Sequence, residues 1–139
     1  MNANPIVIVD DDNDDRDLLM EAFREVGAKN EFRHFNNVSA ALEYLRTTEE
    51  KTFLIVCDVN MPKINGIQFR MEINEDKILN DKRIPFIFFS TSSDINDIRH
   101  AYKLCAHGYF KKPDDLPSFN RIARSIMEYW MNNELSEEV

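Results

Sequence analysis

Ile6-Val7-Ile8-Val9-Asp10-Asp11-Asp12 is a short apolar run that stops abruptly on three carboxylates. Four consecutive β-branched residues without alternation read as a strand buried on both faces, the kind found inside a parallel sheet. The same pattern returns at Phe53 to Cys57, which ends at Asp58, and at Pro85 to Phe89, which ends at Ser90. Glu31 to Phe35 is a weaker strand, and Gly108 to Lys111 is a further one, followed by Lys112-Pro113. Except in the weaker strand Glu31 to Phe35, the strands are therefore punctuated by polar groups at their carboxyl ends.

Helical spacing fills the intervals. Leu18, Leu19, Ala22, Phe23 and Val26 recur on one helical face, with Asn13 or Asp14 as the expected cap and Gly27 as the stop. Val38, Ala41, Leu42 and Leu45 mark a second helix that starts near Asn37. A third runs through Ile67 and Ile73 to an end near Leu79, after a loop from Met61 to Gly66. Asp94 opens a fourth, with Ile95, Ile98, Ala101 and Tyr102, and a fifth spans Leu116 to Met131 on Phe119, Ile122, Ala123, Ile126 and Trp130. Five strands alternating with five helices predict an α/β, doubly wound, flavodoxin-like fold. Its sheet is parallel, in the order 2-1-3-4-5, with helices on both faces. A length of 139 residues and a 43% hydrophobic share fit one domain over 1–134, with an acidic tail at 135–139.

In an open parallel sheet, ligands bind beyond the carboxyl ends of the strands. That rule alone brings Asp10, Asp11, Asp58, Ser90 and Lys112 to one crevice. Clustered carboxylates repel one another unless a cation compensates, and hard oxygen donors of this kind suit Mg²⁺. A lysine opposite the metal supplies a point charge for a phosphate oxygen. Carboxylate, metal, hydroxyl and ammonium together suit phosphoryl transfer, in which positioning and charge neutralisation do most of the catalysis.

Five segments carry a family resemblance: residues 6–12, Leu54 to Pro62 with Gly66, Ile84 to Ser92, Ala106 to Tyr109, and Lys111 to Pro113. In this order and spacing the chain resembles the receiver domains of two-component response regulators, over nearly its whole length. It is most similar to single-domain members with a triple Asp after the first strand and an Asn-Met-Pro loop. Some of those pair with phytochrome-like or other hybrid kinases. The resemblance implies that Asp58 is the phosphoacceptor. It implies that Asp11 and Asp58 ligate Mg²⁺ directly with the backbone carbonyl of Asn60, while Asp10 acts mainly through metal-bound water. Ser90 takes the place of the hydroxyl residue that bonds the phosphoryl group, and Lys112 that of the family lysine, with a cis bond to Pro113 expected. Tyr109 matches the switch aromatic, whose burial tracks phosphorylation. The partners implied are a sensor histidine kinase or a histidine phosphotransfer protein, and a downstream protein target. A homodimer through the fourth helix, fifth strand and fifth helix is an open alternative. Thr91 and His107 depart from the commoner family residues, and a bulkier Thr91 is expected to slow access to the site.

Other classes fit less well. A formal net charge of -8 repels phosphate backbones and speaks against nucleic-acid binding. No apolar run approaches the roughly 20 residues that span a bilayer, so a cytoplasmic, non-membrane protein is expected. Asp10 to Glu21 imitates a calcium loop, but Asp15 stands where a glycine is required and Asp17 where an apolar residue is usual. Asp12, Asp14, Asp15 and Asp17 read as a solvated helix start favoured by the helix dipole. Cys57 reads as core, and His34, His100 and His107 show no metal spacing. Tyr129 lies off the buried stripe that ends at Trp130. Two alternatives to a phosphorylation switch stay open: a Mg²⁺-dependent hydrolase with an Asp nucleophile, and a receiver that only scaffolds.

Overall fold

A computed structural model describes residues 4–133; Glu134 and the acidic segment 135–139 lie outside the described residues. The strands are β1 (Ile6–Val9), β2 (Phe32–Phe35), β3 (Leu54–Cys57), β4 (Phe86–Ser90) and β5 (Gly108–Lys111). They form one sheet in the order β2-β1-β3-β4-β5, parallel throughout. The helices are α1 (Asn13–Glu25), α2 (Val38–Thr47), α3 (Gly66–Glu75), α4 (Lys77–Lys82), α5 (Ile95–Lys103) and α6 (Leu116–Met131).

Side chains alternate between the two faces of the sheet, and so the core is split in two. Ile6, Ile8, Leu54, Val56, Ile87 and Phe89 pack under α1 and α6. Val7, Val9, Ile55, Cys57, Phe86 and Phe88 pack under the helices between β2 and β5. Both faces of the three central strands are dry, which is why those strands carry no alternation. β2, at the edge, is only half-buried and accordingly reads weakly.

The described chain has six helices where the sequence pattern leads one to expect five. The difference lies at Asp76, which is extended (φ -89°, ψ 116°) and interrupts the run through Leu79. Its carboxylate accepts the Leu79 amide at 3.1 Å and pairs with Arg46 at 2.9 Å. A local cap, joined by a long-range ion pair, thus replaces one continued helical turn. Other helix starts are set by similar chemistry. Asp12, not Asn13 or Asp14, caps α1 by accepting the Asp15 amide at 3.0 Å. Asn37 caps α2, and Asn65 forms a reciprocal capping box with Gln68. The expected cis bond at Lys112-Pro113 is not present: no peptide bond among the described residues is cis. Trans is the lower-energy isomer of an X-Pro bond in the absence of an overriding constraint.

Ile95 and Tyr102 on α5 are more than half exposed, while Ala101 is fully buried. The helix therefore rests on its small residue and leaves two large apolar side chains in solvent. No described helix is long and apolar enough to cross a membrane.

Candidate functional site

Register places the polar strand ends side by side. Val9 is level with Cys57 across β1 and β3, and Ser90 with Lys111 across β4 and β5. Backbone bonds continue past the strands: the Asp58 amide donates to Val9 O at 2.9 Å and the Lys112 amide to Ser90 O at 2.8 Å. Asp10, Asp58, Ser90 and Lys112 are all buried, whereas Asp11 is exposed at the rim. Oxygens of Asp10, Asp11 and Asp58 lie within 4.8 Å of one another.

Lys112 is the hub of the crevice. Its Nζ lies 2.8 Å from Asp10, 2.9 Å from Asp15 and 3.2 Å from Asp58. Burial acts to lower the pKa of the Lys112 ammonium, but hydrogen bonds to Asp10 and Asp15, with the charges of Asp10 and Asp58, outweigh it and hold it above its usual range. Asp10 behaves in the opposite sense. Burial raises its carboxyl pKa to about 6, and the contacts with Lys112 and the Asp12 amide offset only part of that. Two buried carboxylates, a rim carboxylate and Asp15 face one ammonium, so the crevice has an excess of negative charge. A hard divalent cation fits that donor set.

The loop after β3 is held close to Asp58. The Gly66 amide donates to Val59 O at 2.9 Å, and a side chain at Gly66 would collide with the carbonyl oxygen of Asp58. The Asn60 amide lies 3.4 Å from Asp58 Oδ1. Cys57 sits in the core beside it, and burial pushes its thiol pKa well up, so it is not a reactive group.

Ser90 and Tyr109 meet through the loop that follows β4. Ser90 Oγ accepts the Ser92 amide at 3.2 Å. The Tyr109 hydroxyl donates to Ser92 O at 2.9 Å, and the Ser92 hydroxyl donates to Asp97 at 2.8 Å. The half-buried Tyr109 ring lies 5.9 Å from that of Phe88, and burial raises its hydroxyl pKa. Ser92 and Asp97 have no place in the sequence reading; a serine two residues past a strand end carries no signal of its own. Asp15 was read there as solvated. Its recruitment was visible only as its position one turn past the cap Asp12, which turns it back over the strand ends. Thr91 is exposed, and Lys111 points to solvent. His107 lies at the opposite end of β5 from the crevice, its Nδ1 against the Phe86 amide at 3.0 Å.

Comparison with known proteins concerns the family and the fold. The family model for the response regulator receiver domain matches residues 6–124. Among curated relatives, the probable methanogenesis regulatory protein FilR2 of Methanothrix harundinacea is 29% identical over 130 residues, 91% of this chain and 83% of that protein. Response regulator Rcp1 of Synechocystis is 27% identical over 137 residues, 93% of this chain and 92% of that protein. Among solved structures, the phosphorylated cyanobacterial phytochrome response regulator RcpA has a TM-score of 0.83 at 30% identity, covering 95% of this chain and 96% of that one. The Mn²⁺-bound form of Rcp1 has a TM-score of 0.80 at 26% identity, covering 95% and 97%.

Proposed function

Because this chain belongs to the response regulator receiver domain family, we propose that it is a phosphorylation switch whose acceptor is Asp58. The observation that carries this reading is the crevice itself: Asp58 and Asp10 buried beside Lys112, with Asp11 at the rim and Ser90 one strand away. Receiver domains are signalling modules served by histidine kinases or phosphotransfer proteins, and the donor proposed here is a phosphohistidine on such a partner.

Asp58 attacks phosphorus through one carboxylate oxygen. An O–P bond forms, the N–P bond of the donor breaks, and the leaving imidazole takes up a proton. Lys112 lies 3.2 Å from Asp58 and is held cationic, so it neutralises charge building on the phosphoryl oxygens. Asp10, Asp11, Asp58 and the backbone carbonyl of Asn60 would hold Mg²⁺; the Mn²⁺-bound Rcp1 is consistent with a divalent ion in such a site. When bound, that ion supplies charge neutralisation and orientation of phosphate oxygens. Ser90 exchanges its bond with the Ser92 amide for one to the phosphoryl group. That change loosens the loop whose carbonyl holds the Tyr109 hydroxyl, and the ring moves inward. The two arrangements are populations that the phosphoryl group rebalances. Attack of water on phosphorus breaks the O–P bond and resets Asp58. Output passes to a protein target or an onward phosphotransfer, and exposed Ile95 and Tyr102 on α5 offer the contact face for a target or a second copy.

Intact mass after incubation with a small-molecule phosphodonor and Mg²⁺ tests the reading. Wild type gains one phosphoryl group and Asp58→Ala gains none. An unchanged gain in the variant refutes Asp58 as acceptor. Continuous release of phosphate at a constant high rate identifies a hydrolase instead, and no gain at all identifies a scaffold.

A further inference from the structure

A cavity of about 450 Å³ opens at the other end of the molecule, beside the amino ends of β4 and β5, and belongs to no part of the switch described above. That volume is within the usual range for small-molecule sites. Its wall contains Arg70, Arg83 and His107 and, among the described residues, no carboxylate. This is unexpected in a chain with 25 acidic and 17 basic residues.

Arg70 is the central group. It is 7% exposed, and its guanidinium donates Nε to Leu104 O at 3.0 Å and Nη2 to Cys105 O at 2.9 Å. It lies 5.1 Å from the centre of the Phe86 ring. Among the described residues no carboxylate lies within ion-pair distance of it. Two carbonyls occupy only part of a five-donor group, and a buried cation without a counter-charge is unfavourable. Arg83, on the rim, is held at φ 52° by the end of α4 and adds a second guanidinium. His107 Nδ1 lies 3.0 Å from the Phe86 amide and 3.3 Å from the Phe86 carbonyl, so that side of the ring is engaged with β4. The remaining wall combines the apolar Ile73, Leu79, Ile84 and Pro85 and the rings of Tyr129 and Trp130 with the amides of Asn80 and Asn133. Trp130 packs edge-on against both Tyr129 (4.8 Å) and His107 (5.6 Å), and Tyr129 is 61% exposed.

We propose that this cavity binds a small organic anion, a carboxylate carried on a planar apolar body. The carboxylate would take the paired N–H groups of a guanidinium, and the planar body would lie on the exposed Tyr129 ring beside Trp130. This proposal stands apart from the reading of Asp58 and is tested on the whole unphosphorylated chain.

Trp130 is the single tryptophan, so its indole N–H gives one NMR resonance at the cavity wall. Titration with trans-cinnamate should shift that resonance saturably, and the neutral trans-cinnamamide should bind about tenfold or more weakly, the value of one charge-assisted pairing. Arg83→Gln, at an exposed position, should weaken cinnamate several-fold and leave cinnamamide unchanged; His107→Gln provides a second variant. Equal shifts from acid and amide overturn the proposal, as do equal shifts from cinnamate and inorganic phosphate. So does binding that appears only in a variant ending at Asn133, which would mean that the chain's own acidic residues fill the cavity.

Discussion

Asp10→Asn should stabilise the metal-free protein, although it removes one partner of a buried ion pair. In the folded chain the Asp10 carboxyl pKa is raised from 3.8 to about 6, chiefly by burial. A shift of roughly two units corresponds to about 3 kcal/mol by which folding disfavours the ionised form. The sign follows from linkage. The folded pKa lies above the unfolded one, so the stabilising proton is fully present below pH 3.8 and is lost as pH rises through about 6. Above that range wild type bears the whole cost of the charge and the asparagine variant bears none. Asparagine keeps an oxygen for the Asp12 amide, bonded at 2.9 Å in wild type, but its amide faces the Lys112 ammonium less well than a carboxylate does. The net gain should be about 1–3 kcal/mol, or about 3–10 °C in Tm for a domain of this size. Urea unfolding in EDTA at pH 7.5 measures it, and a series down to pH 4 should show the difference shrinking toward zero. Millimolar Mg²⁺ should reverse the order, because wild type gains the free energy of binding and the variant has lost a carboxylate ligand. Equal or lower stability of the variant at pH 7.5 without metal, or a difference that ignores pH, would refute the reasoning.

Gly66→Ala forces a methyl group against the Asp58 carbonyl, and should cost about 3 kcal/mol or more in denaturant unfolding. Tyr109→Phe removes the bond to Ser92 O and should cost about 1 kcal/mol in the unphosphorylated state, read from the urea midpoint. His107 has its pKa lowered from 6.5, first by burial, so its contribution to stability is present above pH 6.5 and is lost as pH falls below it. Between pH 7.5 and 5.5 wild type should therefore lose more stability than His107→Gln; parallel pH profiles would show that the imidazole stays as accessible folded as unfolded.

What the sequence determined by itself is local or periodic. Continuous β-branched runs meant buried strands, and alternation of strands with helices meant a parallel sheet. The sheet rule then carried Asp10, Asp11, Asp58, Ser90 and Lys112 to one edge, because a parallel sheet sets every carboxyl end on the same side. Asn37, Asp94 and Gly27 acted where their side chains or backbone freedom said they would. Tertiary structure decided whatever depends on distance across the chain. Asp15 looked like any solvated first-turn acid until folding brought the start of α1 beside the end of β5 and set it 2.9 Å from Lys112. Asp76 caps α4 locally through the Leu79 amide, but its pairing with Arg46, thirty residues earlier, has no signal in the sequence. The Tyr109 hydroxyl finds a carbonyl on a loop that has no pattern of its own, and Arg70 closes the α5–β5 turn from the neighbouring helix α3. Sequence periodicity encodes which face a side chain takes; it does not encode which distant group stands opposite, since that follows from register, twist and helix docking together.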